Sequence, residues 1–192
     1  MEKQLRKIVD KYKPAFSKGG KFGFLHSTFD AFETFLFVPN TVTRRGSHIR
    51  DANDLKRTMI IVIIALLPAL LFGMYNVGYQ HFAAIADPVS QAMWFKCWWY
   101  GFVRMLPMIL VSYIVGLGIE FAVAQHKGEE VNEGFLVTGL LIPMIMPIDI
   151  PLWILALAVA FSVVFGKEVF GGTGMNVFNP ALLARAFAFF AY

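Results

Sequence analysis

The sequence predicts an all-α polytopic membrane protein. About five transmembrane or half-membrane helices, one half of an inverted-repeat fold, follow a cytoplasmic or interfacial N-terminal arm. Three observations lead there. Apolar residues make up 57% of the 192 and charged residues only 16%, and the mean hydropathy is +0.60, far above an ordinary soluble domain. Charge is segregated: 12 of the 17 Lys and Arg precede Thr58, against 6 of the 13 acids. Finally, a polar, glycine-rich break over residues 166–180 has apolar runs on both sides. Irregular backbone survives at membrane depth only where protein or a water-filled cavity covers its polar groups.

The arm comes first, over residues 1–57. Residues 1–20 read as a short basic helix ending at Gly19 and Gly20. Phe22, Phe24, Phe29, Phe32, Phe35 and Phe37 then come at mixed spacing among His26, Asp30 and Glu33, an aromatic-rich segment suited to a membrane surface or to the side of a bundle. Pro39-Asn40 ends it, a polar stretch over 43–51 follows, and Asp54 is placed to cap the next helix. A basic arm raises the prospect of nucleic-acid binding. The apolar body that follows and the positive-inside bias already account for the charge, so no nucleic-acid partner is expected.

The membrane domain is expected over 58–192, with apolar segments at 58–75, 98–124, 134–148, 151–165 and 180–192. Thr58 to Tyr75 carries no charge and approaches the ~20 residues needed to cross a hydrocarbon core. Lys56 and Arg57 at its start put the N-terminus in the cytoplasm. No cleavable signal peptide is expected, because this first apolar stretch begins too late. Residues 76–97 read as a loop turning at Asp87-Pro88, and Trp98 and Trp99 suit the interface where the second span begins. Within that span Arg104 is near enough to one end to snorkel. Glu120, in a Gly-Leu-Gly-Ile-Glu run from Gly116, reads either as a functional carboxylate at depth or as an interfacial one in water. The later segments are short and broken by Gly and Pro, the pattern of half-helices around a midplane site. The chain stops inside its last apolar helix, as a fragment would.

The break itself reads Gly-Lys-Glu-Val-Phe-Gly-Gly-Thr-Gly-Met-Asn-Val-Phe-Asn-Pro from Gly166 to Pro180. Gly171, Gly172 and Gly174 let backbone turn sharply and approach a ligand. Asn176 and Asn179 each offer a carbonyl and an NH2, the complement of an amide–imide edge such as that of an isoalloxazine ring, and Asn179 before Pro180 is also a good N-cap. A phosphate loop is not expected, since the lysine and preceding strand that define one are missing. Lys167 and Glu168 are free to pair with each other or with lipid headgroups. Catalytic motifs of hydrolases are absent, and His26, His48, His81 and His126 all fall outside the apolar spans as predicted. Cys97 alone forms neither an internal disulfide nor a Cys-rich metal site. No catalytic residue and no metal site is assigned, which leaves membrane transport or membrane redox work.

Three segments in order resemble one known family. They are the break from Lys167 to Pro180, the His-Lys-Gly-Glu-Glu-Val-Asn-Glu-Gly-Phe run from His126, and Ser47 to Met59 with its Arg-Asp-Ala-Asn-Asp-Leu-Lys-Arg core. The family is that of the B subunit of the sodium-translocating NADH:quinone oxidoreductase, Na+-NQR, and the likeness covers its N-terminal half. The D subunit of the Rnf complex shares the glycine–asparagine motif but is less similar over the arm. The resemblance implies a subunit of a respiratory complex in the bacterial inner membrane, passing electrons from NADH through flavins to quinone and exporting Na+. It implies riboflavin beside Asn176 and Asn179 with the three glycines, and a quinone site involving Gly116, Leu25 and Lys56 within an arm spanning about 25–56. It implies a sodium path using Glu120 and Asp30, the latter in place of the family's Glu. Leu117 stands where the family has a second glycine. The threonine that carries covalent FMN belongs to a Ser-Gly-Ala-Thr motif that this chain lacks, and Thr173 does not match it. FMN is therefore expected on the missing C-terminal half, and this fragment alone is expected to be inactive. A non-redox channel or carrier is the competing function.

Overall fold

The computed structural model describes residues 2–16, 29, 46, 55–127, 134–172 and 174–192. Among them are α1 (Glu2–Phe16), α2 (Leu55–Ala84), α3 (Pro88–Ala92), α4 (Trp94–Lys127), α5 (Phe135–Ile145), α6 (Leu152–Gly166), a 3-10 turn (Glu168–Phe170) and α7 (Pro180–Ala191). The described residues contain no strand. Three stretches are long and apolar enough to cross a membrane: Thr58–Ala84, Trp94–Lys127 and Leu152–Phe170. Helices α5 and α7 are shorter apolar elements.

The first correction concerns the expected loop at 76–97, most of which is helical. Helix α2 runs on to Ala84 and α4 begins at Trp94. The polar and aromatic residues after Tyr75 hid this, because the helix is held by a contact distant in sequence. A Cβ on Gly78 would lie 1.9 Å from the Cys97 carbonyl oxygen, and one on Gly101 would lie 1.8 Å from that of Met74. Two glycines, one on each helix, thus let α2 and α4 touch backbone to backbone. What remains of the loop is a turn at Ile85 and Ala86 and the short α3. Asp87 caps α3 by accepting the Ser90 N–H at 3.0 Å, and hydrogen bonding from Ser90 holds its carboxyl below the usual range.

Pro68, Pro107 and Pro143 all lie inside helices rather than ending them. At Pro143 the compensation is visible. Proline has no N–H to give the carbonyl four residues earlier, that of Gly139. The buried Ser112 hydroxyl of α4 donates to that carbonyl at 2.9 Å, and Tyr113 Oη donates to the Leu136 carbonyl at 2.6 Å. Pro147 then stops α5, and Pro151 leads into α6.

Helix α6 is the centre of the bundle: 44% of its apolar window is buried, against 11% for α2. Ile154, Leu155, Ala158, Val159 and Val163 pack with Met108 of α4, Phe135 and Ile142 of α5, and Ala181, Ala184 and Ala188 of α7. Helix α7 returns antiparallel to α6, with Leu183 against Gly166 and the Phe187 ring stacked on Phe161 at 4.8 Å. Arg104 and Glu120 mark the two ends of the bundle. Sixteen residues separate them on α4, about 24 Å of helix rise, close to the hydrocarbon thickness.

Candidate functional site

Helix α6 runs out at Gly166 with an uncapped row of carbonyls, and Lys167 meets that end twice. Its backbone N–H donates to the Val163 carbonyl at 3.2 Å, and its own carbonyl accepts from Phe170 at 3.2 Å and Gly172 at 3.0 Å. A cation at a helix C-terminus is also favoured by the aligned peptide dipoles. The turn closes at Gly171, whose φ of 109° is a left-handed conformation that a side chain would strain. Gly172 and Gly174 also have positive φ, 94° and 93°, and a Cβ on either would meet nothing within 4 Å. This backbone is open to a close approach.

The Lys167 side chain turns inward, 4% exposed, and forms an ion pair with Glu120 Oε1 on α4. Glu120 is itself 4% exposed, and its Oε2 has no hydrogen-bond partner among the described residues. The structure therefore excludes an interfacial carboxylate in water. It also corrects the expected pairing of Lys167 with Glu168 or with lipid headgroups. Each instead bonds to α4: Glu168 lies 3.7 Å from the Lys127 ammonium, with both side chains partly exposed. The glycine-rich loop is thus fastened to the end of α4 by two ion pairs, one buried and one wet.

One helical turn from Glu120, Gly116 is buried beneath Phe135. A Cβ there would fall 1.8 Å from the ring's Cζ, and that ring is fully buried. In this structure the space over Gly116 belongs to a side chain of α5, and a ligand could touch Gly116 only with Phe135 displaced. The asparagines serve the loop. Asn176 Oδ1 accepts the Gly174 N–H at 3.2 Å while its Nδ2 donates to the Phe178 carbonyl at 2.9 Å. Asn179 caps α7, its Oδ1 accepting from Ala181 at 2.9 Å and Leu182 at 3.4 Å. Met175, Val177 and Phe178 stand exposed beside them. Open glycine backbone flanked by apolar side chains fits the face of a planar aromatic ring; the two carboxamides would have to exchange loop contacts for ligand contacts.

The structure therefore brings Gly116, Glu120, Lys167 and residues 171–179 to one end of the bundle. Leu25, Asp30 and Thr173 lie outside the described residues, as does the Asp54 cap; Lys56 falls in the first turn of α2, its side chain outside them. At the opposite end, sequence reasoning missed a cavity of about 400 Å3 lined by Asn76, Gln80, His81, Tyr100, Arg104 and Asp149. His81 stacks on Tyr100 at 4.1 Å, and Arg104 Nε donates to the Tyr100 hydroxyl at 3.3 Å. His81 is thus inside the long first span rather than beyond it. Asn76 and Gln80, one turn apart on one face, were the available signal.

The sequence is similar to known proteins over nearly its whole length. In an alignment 209 positions long that covers 98% of the chain, it is 44% identical to the B subunit of the Na(+)-translocating NADH-quinone reductase of Pseudomonas aeruginosa (strain LESB58). It is 42% identical over 209 aligned positions to the protein of the same name in Azotobacter vinelandii, and 43% over 206 aligned positions to that in Chromohalobacter salexigens. The chain covers 52%, 52% and 50% of these proteins, so it spans about half their length. The model of the NQR2, RnfD, RnfE family matches residues 42–192. A multi-pass membrane protein with these relatives and this matched length belongs to the NQR2, RnfD, RnfE family.

Proposed function

We propose that the chain forms the N-terminal half of a membrane subunit that helps transfer electrons from NADH through flavins to quinone, coupled to Na+ export across the bacterial inner membrane. The names and identity of its relatives support the class. The geometric observation that carries the reading is Glu120, a carboxylate buried at the edge of the apolar core with one oxygen unpartnered and the other tied to the glycine-rich loop. An ionisable group at such depth is expensive, and transport is the function that most often keeps one there. Lys56 and Arg57 at the start of α2 support a cytoplasmic side for the Glu120 end, by the excess of Lys and Arg that cytoplasmic flanks carry.

In this reading riboflavin lies against Gly171, Gly172 and Gly174 with Asn176 and Asn179 at its edge, and it supplies an electron-carrying ring when bound. The loop orients that ring and the exposed Met175, Val177 and Phe178 keep water from one face. Quinone approaches Gly116 together with Leu25 and Lys56 of the arm, and Na+ enters by Glu120 and Asp30. The other subunits of the complex and the C-terminal half, which would carry FMN, cover the exposed loop. In the assembled complex, Glu120→Gln should abolish the sodium dependence of NADH–quinone turnover; unchanged dependence removes Glu120 from the path.

A non-redox carrier is favoured by one observation, that both ends of the Asn176 carboxamide already bond within the loop. The visible spectrum of the purified complex decides. Flavin absorption that falls in the Asn176→Ala, Asn179→Ala double variant supports the redox reading, and a spectrum without flavin supports the carrier.

A further inference from the structure

The Lys167 ammonium has a role of its own toward Glu120. It is the only described cation that contacts this carboxylate, and the two residues are 47 apart in sequence. Both are almost wholly buried, in a region where water does little to offset a charge. Removing a partner from such a pair leaves a bare charge in a poorly polarisable medium, which costs several kcal/mol. A carboxylate in that setting exchanges one cation for another far more readily than it stands alone. The backbone makes this consequential. Lys167 is the hinge residue of the loop: its N–H closes α6, and its carbonyl holds the turn through Phe170 and Gly172. Side chain and backbone of this one residue thus join α4, the end of α6 and the turn, so losing the Glu120 contact removes the buried one of the loop's two fastenings to α4. The neighbouring Glu168–Lys127 pair is longer and partly exposed, so it is a softer second fastening.

We propose that Lys167 is a tethered counter-ion that occupies Glu120 until a small monovalent cation displaces it, and that this displacement releases the loop spanning 167–179. The idea rests on the reading of Glu120 as part of the sodium path. It adds that cation arrival at α4 is reported to the ligand-binding face of the loop by one side chain leaving its partner. Oε2 of Glu120, buried and unpartnered, offers an incoming cation a first oxygen before Oε1 is surrendered. No covalent bond is made or broken: the incoming cation takes over the charge of Glu120, and the displaced Lys167 ammonium leaves the buried pocket for water as the loop loosens.

The test uses the assembled membrane complex at constant ionic strength, with Na+ compared against K+. Deuterium labelling of the backbone amides over 174–179 is quantified on this chain by mass spectrometry; the amide of Leu155, a fully buried residue, serves as the internal control. Na+ should speed labelling over 174–179 in the parent complex. In Lys167→Gln the labelling should be fast from the start and indifferent to Na+. The apparent KM for Na+ should fall about tenfold in Lys167→Gln, because the internal competitor is gone, and Lys167→Arg should restore it. Should Lys167→Gln fail to assemble, the Na+ response of the parent complex still decides. Labelling equal in Na+ and K+ overturns the proposal. If Glu120→Gln retains normal sodium dependence, the sodium-path reading and the proposal fail together. If Glu120→Gln loses sodium dependence while Lys167→Gln keeps the parental KM and labelling, only the proposal fails.

Discussion

The two ends of this bundle use similar side chains in opposite ways. At one end Arg104, Asp149 and His81 line an open cavity, with Arg104 exposed and resting against Tyr100. At the other, Lys167 and Glu120 are sealed between α4 and the end of α6 with hardly any exposed surface. Charge near the edge of a membrane-spanning helix is inexpensive when water reaches it, since long side chains extend toward the interface. Burial of a pair is different, because apolar side chains of the same volume would often hold the helices together as well or better. The open end therefore needs no special explanation, whereas the sealed end calls for a function that an apolar contact cannot supply.

Substitutions at the two ends should separate accordingly. The largest effect is expected from Lys167→Met, which strands the Glu120 carboxylate and should cost about 3–5 kcal/mol. Thermal unfolding of the detergent-solubilised complex would show it, and adding Glu120→Leu should recover most of the loss. No recovery would mean that the pair is not the reason for the cost. Next comes Gly116→Ala, whose new methyl group collides with the Phe135 ring and should cost about 1–3 kcal/mol. Phe135→Leu should relieve part of that, which distinguishes a packing role for Gly116 from ligand contact. Asn179→Ala removes the cap of α7 and should lower stability by about 1 kcal/mol, read from the same transition. Smallest is Arg104→Gln at the open end, which should leave the unfolding transition close to that of the parent, with whatever effect it has shrinking in added salt. A cost for Arg104→Gln matching that for Lys167→Met would erase the contrast between the ends.

Much of the fold is legible in the sequence because apolar composition over a long run is a local property. The bounds of α6 and α7 lie within a residue of the apolar runs that announce them. The end of α2 is not legible, since Tyr75 to Ala84 carries Asn, Gln, His and Gly and reads as a loop. Its contacts with α4, among them the meeting of Gly78 with Cys97 and the stack of His81 on Tyr100, are encoded by no local pattern. The site divides the same way. The glycines of the break and the cap at Asn179 follow from residue type and spacing. The partner of Lys167 does not, because 47 residues of chain intervene. A rule was nonetheless available: two opposite charges, each near the same end of its own apolar run, suit each other. Gly116 is a subtler case. Its small size is visible in the sequence, whereas the aromatic ring that fills the space above it comes from α5.

Ser112 and Pro143 carry a consequence for biogenesis. A helix that enters lipid with the Gly139 carbonyl bare would meet a penalty that no residue of α5 relieves. The hydroxyl that relieves it belongs to α4, which the ribosome delivers earlier. The order of synthesis thus supplies the donor before the acceptor, and α5 has a docking site waiting when it emerges from the insertion machinery. A circular permutant that made α5 first would reverse this sequence of arrival and should insert poorly, even though its finished contacts would be the same.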